Sequence, residues 1–136
     1  MGISSKYNGD KGERLMVSFF RERGYWIHVS KRDRQGAQPV DGIAIKKNEA
    51  WLLDAKYVEN GYRLDFSDIQ PNQVTSMRYA RDYAGVENLG FFVVFGQDEG
   101  TPYLLEFATY EKLAKEGKKS ANTMDMKDFG EYLENG

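Results

Sequence analysis

The chain of 136 residues contains no cysteine and a single histidine, His28. Without cysteine there is no disulfide framework, no thiolate zinc site and no cysteine nucleophile. One histidine excludes a His-rich metal centre, and a Ser-His-Asp triad would have to be built on His28 itself. No apolar run approaches the ~20 residues that cross a bilayer, and residues 1–11 do not read as a signal peptide. Internal repeats, low-complexity tracts and domain-dividing linkers are also missing. These absences lead to the expectation of a soluble, cytoplasmic protein with no membrane partner.

What is present is ample for folding. The chain is 40% hydrophobic and 14% aromatic, which rules out disorder as its main state. Its length fits one domain spanning residues 1–136, large enough to bury roughly two-thirds of its extended surface. The formal net charge of −2 argues at first against a nucleic-acid partner. The distribution is polarised, however. Residues 1–81 carry 14 Lys/Arg against 10 Asp/Glu, a net of +4. Residues 82–136 carry 5 against 11, a net of −6. Such asymmetry suggests a basic working face with the acidic half turned away from a polyanion. An uneven split with no such meaning is the competing reading.

The patterning alternates helices with strands. Residues 1–10 are polar and expected to be loose. Leu15, Met16, Phe19 and Phe20 define one face of a helix over 11–23, stopped by Gly24. Strands are expected at 25–29, 40–47 and 50–58, the last two joined as a hairpin near Asn48. Residues 59–69 read as a loop. Pro71 opens a helix that Gly85 ends. The apolar run FFVVF within 90–95 is the signature of a strand covered on both faces. A strand over 103–107 and closing helices over 109–116 and 124–133 complete the chain. The order is α-β-β-β-α-β, then β and α, which means an α/β or α+β sandwich on a mixed sheet.

The chemistry concentrates in Pro39-Val40-Asp41 and Asp54-Ala55-Lys56. An acid-x-Lys tripeptide means nothing alone, and Glu116-Gly117-Lys118 and Asp125-Met126-Lys127 also have that form. Only Asp54-Ala55-Lys56 lies on a central strand, in a hairpin whose other strand begins at an acid. With the turn near Asn48, Asp41 and Asp54 fall nearly opposite one another. Facing carboxylates repel unless something positive lies between them. A divalent cation answers that need, and carboxylate oxygens suit Mg²⁺. Alternation puts Leu52, Asp54 and Lys56 on one face and Trp51, Leu53 and Ala55 on the other. Acid, acid and lysine around one metal are the parts needed for phosphodiester hydrolysis. A satisfied Asp54–Lys56 ion pair on an exposed face is the alternative.

These segments, on that element order, resemble the PD-(D/E)xK nuclease superfamily. Within it, Gln38-Pro39-Val40-Asp41-Gly42, Trp51-Leu52-Leu53-Asp54-Ala55-Lys56, FSDIQPNQ at 66–73, Phe91–Phe95 and Tyr103-Leu104-Leu105 resemble the RecU-type Holliday junction resolvases, also described as penicillin-binding-protein-related factor A. The resemblance covers about residues 10–107. It implies a restriction-endonuclease-like core, Mg²⁺ or Mn²⁺ as cofactor, a homodimer, and paired nicks across four-way DNA junctions. By position, Asp41, Asp54 and Lys56 match the motif acids and lysine. Glu13 matches a helical acid that joins the metal site, and Gln73 a helical glutamine near it. The segment 30–38 is much shorter than that family's stalk. A same-fold nuclease acting on flaps, forks or single strands stays open beside the resolvase, as does a non-catalytic DNA-binding module.

Outside the motif, Glu13 can equally be an acid favoured by a helix N-terminus, and Gln73 an ordinary first-turn residue. His28 reads as a structural strand residue. Lys31, Arg32 and Arg34 lead into the acidic strand. Arg78 and Arg81 share a helix face. Clustered in the half that holds the acids, these five are candidates for phosphate contacts.

Overall fold

The computed structural model describes residues 2–30 and 40–135, with the side chains of residues 2–7 outside the description. Helix α1 (Gly2–Glu22) leads into strand β1 (Trp26–Val29). Strands β2 (Gly42–Lys46) and β3 (Glu49–Val58) form a hairpin, with Lys47 left-handed at φ 55° in its turn. Then follow β4 (Arg63–Asp65), a 3₁₀ turn (Phe66–Asp68), α2 (Pro71–Ala84), β5 (Leu89–Phe95), β6 (Asp98–Glu106) and α3 (Phe107–Lys115). Strand β7 (Ser120–Asn122), a second 3₁₀ turn (Thr123–Asp125), β8 (Lys127–Asp128) and α4 (Phe129–Asn135) close the described chain.

Six strands form one sheet in the order β1-β2-β3-β5-β6-β8, and β4 pairs with β7 in a separate ribbon. Strand β5 runs parallel to β3, and the other pairings in the sheet are antiparallel. The expected mixed α/β architecture is thus observed. Strand β5 is buried at every position, because both sheet faces are covered. On one face, Met16, Phe19 and Phe20 of α1 pack with Trp51, Leu53, Ala55, Phe92, Val94 and Phe129. On the other, Met77 of α2 and Phe107 of α3 pack with Phe91, Val93, Phe95 and Leu105. The alternation along β3 therefore divides as expected, with Trp51, Leu53 and Ala55 under α1.

Helix α2 follows its sequence signals closely. Pro71 stands at its start, and Gly85 ends it in the left-handed conformation at φ 70°. Several other elements depart from the sequence reading. Residues 2–10, expected to be loose, extend α1 by about two and a half turns at its start. The loop expected over 59–69 holds β4, whose residues Arg-Leu-Asp are too few to show a period. Strand β6 starts at Asp98 rather than Tyr103. The single helix expected over 124–133 is instead a 3₁₀ turn, a strand and α4. Local hydrogen bonding explains the break. Asn122 Oδ1 accepts from the Met124 N–H, and Asp125 Oδ2 accepts from the Asn122 N–H. Lys127 and Asp128 then pair with Leu104 and Tyr103, and Asp128 Oδ1 accepts from the Glu131 N–H at the start of α4.

Candidate functional site

Among the described residues the buried polar and charged side chains are Asp41, Asp54 and Gln73, at 6%, 0% and 9% exposure. All three belong to the set singled out from the sequence. Taking a carboxylate out of water is expensive unless it is hydrogen-bonded, paired or bound to a metal.

The hairpin register explains the acids. Gly42 pairs with Leu53, so Asp41 and Asp54 occupy the next step along the ladder. Strand β2 starts at Gly42, whereas β3 continues to Val58. The β3 N–H beyond that point has lost its strand partner, and Asp41 Oδ2 accepts from the Ala55 N–H at 2.9 Å. Reciprocally, Asp54 Oδ1 accepts from the Asp41 N–H at 2.9 Å. Each acid is thereby anchored by the strand of the other. Gly42 keeps this corner tight, because a Cβ there would sit 2.6 Å from the Met16 methyl of α1.

Lys56 is two residues along β3 from Asp54, on the same face, and its Nζ donates to the Asp68 carbonyl and to Gln73 Oε1, each at 3.0 Å. Gln73 Oε1 also accepts from the Gln70 N–H at 3.1 Å, closing the first turn of α2. One amide oxygen thus joins the start of a helix to the lysine of a central strand. Asp68 and Gln70, which the sequence did not single out, hold Lys56 and Gln73 through backbone groups that no side-chain motif reveals.

Glu13 comes from a different element. It lies inside α1, eleven residues after Gly2, on the helix covering the opposite sheet face. It lines an open groove of about 500 Å³ with Asp10, Arg14, Val17, Ser18 and Val29. Among the described residues no three His, Asp or Glu side chains come together as a ligand set for a metal. Asp41 and Asp54 nonetheless suit a hard cation, since Mg²⁺ binds through one or two carboxylates and keeps several waters.

Arg78 and Arg81 face α3. Arg78 Nε donates to Glu111 Oε2 at 3.1 Å, and Arg81 Nη1 donates to Glu111 Oε1. Burial pushes the Glu111 carboxyl up, and the hydrogen bonds from Arg81 and Arg78 more than reverse it, leaving its pKa below the ordinary value. Lys31, Arg32 and Arg34 lie outside the described residues. His28 is exposed on edge strand β1, its ring stacked 6.1 Å from that of Trp26. A further cluster went unread in the sequence. Lys11 Nζ bridges to Glu99 Oε2 at 2.7 Å, and the Tyr57 hydroxyl donates to the same oxygen.

No helix among the described residues is long and apolar enough to cross a membrane. No family model and no curated protein matches the chain. A solved structure does. The Holliday junction resolvase Hjc of the archaeal hyperthermophile Archaeoglobus fulgidus superposes with a TM-score of 0.66. The match covers 91% of this chain and 98% of that one, at 11% sequence identity. The likeness is one of fold: this chain has the mixed-sheet architecture of that resolvase.

Proposed function

We propose that this chain is a metal-dependent, structure-selective DNA endonuclease of the PD-(D/E)xK type, cutting branched DNA with the four-way junction as its leading substrate. The observation that carries this reading is the pair of buried, mutually anchored carboxylates with a tethered lysine on the same strand face. The likeness in fold to a resolvase supports it.

In this reading Asp41 and Asp54 hold Mg²⁺ or Mn²⁺, with Glu13 the proposed third acid. When bound, the ion supplies positive charge that polarises a phosphate oxygen and acidifies a water. Lys56 keeps its ammonium on the Asp54 face because Gln73 and the Asp68 carbonyl hold it. There it orients the attacking water and offsets charge growing on the phosphate. Gln73 is a positioning residue acting through Lys56. Lys31, Arg32, Arg34, Arg78 and Arg81 are the proposed phosphate contacts. Two symmetric cuts across a junction need two sites, which a two-fold homodimer supplies.

The test is cleavage of labelled four-way junction, flap, fork, single strand and linear duplex in Mg²⁺, read on denaturing gels. Paired nicks in the junction and none in linear duplex are expected, with EDTA abolishing both. Asp41→Asn and Asp54→Asn should each slow cleavage by at least about a hundredfold. Glu13→Gln should cost less than either. No cleavage of any branched substrate, or full activity in Asp54→Asn, overturns the reading.

A further inference from the structure

Helices α2 and α3 flank an open groove of about 750 Å³ lined by Arg78, Arg81, Tyr110, Glu111, Lys112 and Lys115. Four cations against one carboxylate leave this lining at a formal +3. Glu111 organises the groove more than it neutralises it, since it takes a hydrogen bond from each arginine. Arg81 is held further by Asp82 Oδ1 at 2.9 Å and by the Phe107 ring, 5.3 Å from its guanidinium. A guanidinium already held in place loses less freedom when it meets an anion. Lys112 and Lys115 are exposed and spaced i, i+3 on α3, hence on one face.

Cations spread along two helices exceed what one small anion can use. They suit anions repeated along a polymer, and the phosphodiester backbone is such a polymer. The groove also shares helix α2 with the candidate active site. Gln73, which holds Lys56, is in the first turn of that helix. Arg78 and Arg81 follow five and eight residues later, about 7.5 and 12 Å along the axis. At about 3.4 Å per duplex step, that corresponds to roughly two to four base pairs.

We infer that the α2–α3 groove is a phosphate track that holds a DNA arm leading away from the scissile bond, with Lys112 and Lys115 of α3 as its outer contacts. The identity of the occupant as DNA rests on the nuclease reading, and the track adds two lysines and a location that reading does not contain.

Fluorescence anisotropy on a labelled four-way junction in EDTA measures binding without cleavage. Lys112→Glu/Lys115→Glu should weaken binding at least about tenfold and flatten log Kd against log salt by about 2. Lys118→Glu/Lys119→Glu makes the same charge change on exposed lysines outside the groove and should change affinity less than about threefold. Lys112→Gln/Lys115→Gln should fall between, and far-UV circular dichroism should show all three folded. Unchanged binding in the groove variants, or equal weakening by the outer pair, overturns the track. If wild-type protein binds through the groove yet cuts no substrate in Mg²⁺, the nuclease reading fails while the track stands.

Discussion

Gln73 shows how one buried amide can serve two elements. Its Oε1 takes the Gln70 N–H that opens α2 and the Lys56 ammonium of β3. Gln73→Ala removes the one oxygen that accepts both hydrogen bonds, so stability should fall by about 1–2 kcal/mol, read from the urea midpoint. Cleavage should fall as well, because Lys56 then keeps only the Asp68 carbonyl among these two tethers. Gln73→Glu retains an acceptor and should recover most of the activity. A Gln73→Ala protein that cuts at the wild-type rate would remove Lys56 positioning from the mechanism. The acids differ in legibility. Their opposition across the hairpin was readable from a turn near Asn48 and a period of two. Their use of each other's backbone was not, because it depends on β2 starting one residue after Asp41.

At the scale of elements, two glycines make opposite predictions. Gly90 of β5 lies against β6 so closely that a Cβ would stand 2.4 Å from the Leu105 carbonyl and 3.2 Å from the Glu106 Cα. Both obstacles are backbone, so the strands must part. Gly90→Ala should destabilise by about 1–3 kcal/mol. Gly12 of α1 approaches β3 at Ala55 and Tyr57, with no atom nearer than 3.6 Å to an added Cβ. Alanine fits there, and Gly12→Ala should stabilise by about 0.5–1 kcal/mol through the lower entropy cost of a helical residue. Denaturant midpoints of the two variants check both signs. Helix α2 was legible because its start and stop signals, Pro71 and Gly85, are local. The strand at 127–128 was not, because Lys127 and Asp128 extend only through pairing with β6.

For the whole molecule, charge couples distant segments. Glu99 is held below the ordinary carboxylate pKa chiefly by its hydrogen bond with Lys11 and next by that with Tyr57. Glu111 is also depressed, as described. Both groups release their proton more readily in the folded chain. Their contribution to stability is therefore complete above the ordinary value of 4.5 and is lost as pH falls through the lower folded values. Urea midpoints should be flat from pH 7 to about 5 on this account and decline below 4.5. Glu99→Gln and Glu111→Gln should each make the decline shallower. A decline of wild-type steepness in both variants would assign acid sensitivity to other groups. The halves of the chain do not map onto opposite faces. Lys112 and Lys115, from the acidic half, line a groove with Arg78 and Arg81 from the basic half.

The sequence by itself determined the hairpin, the opposed acids, the face shared by Asp54 and Lys56, the limits of α2 and the buried character of β5. Each follows from steric and periodic rules acting over a few residues. Only the tertiary structure decided that β5 runs parallel beside β3, and that α1 and α2 cover opposite sheet faces. It therefore also decided that Gln73 reaches Lys56, that Glu13 of α1 lines a groove with Val29 of β1, and that α3 brings Glu111 to two arginines. The reason is physical. Which helix covers which face is settled by burying apolar surface from segments far apart in the chain, and no short-range pattern encodes that choice.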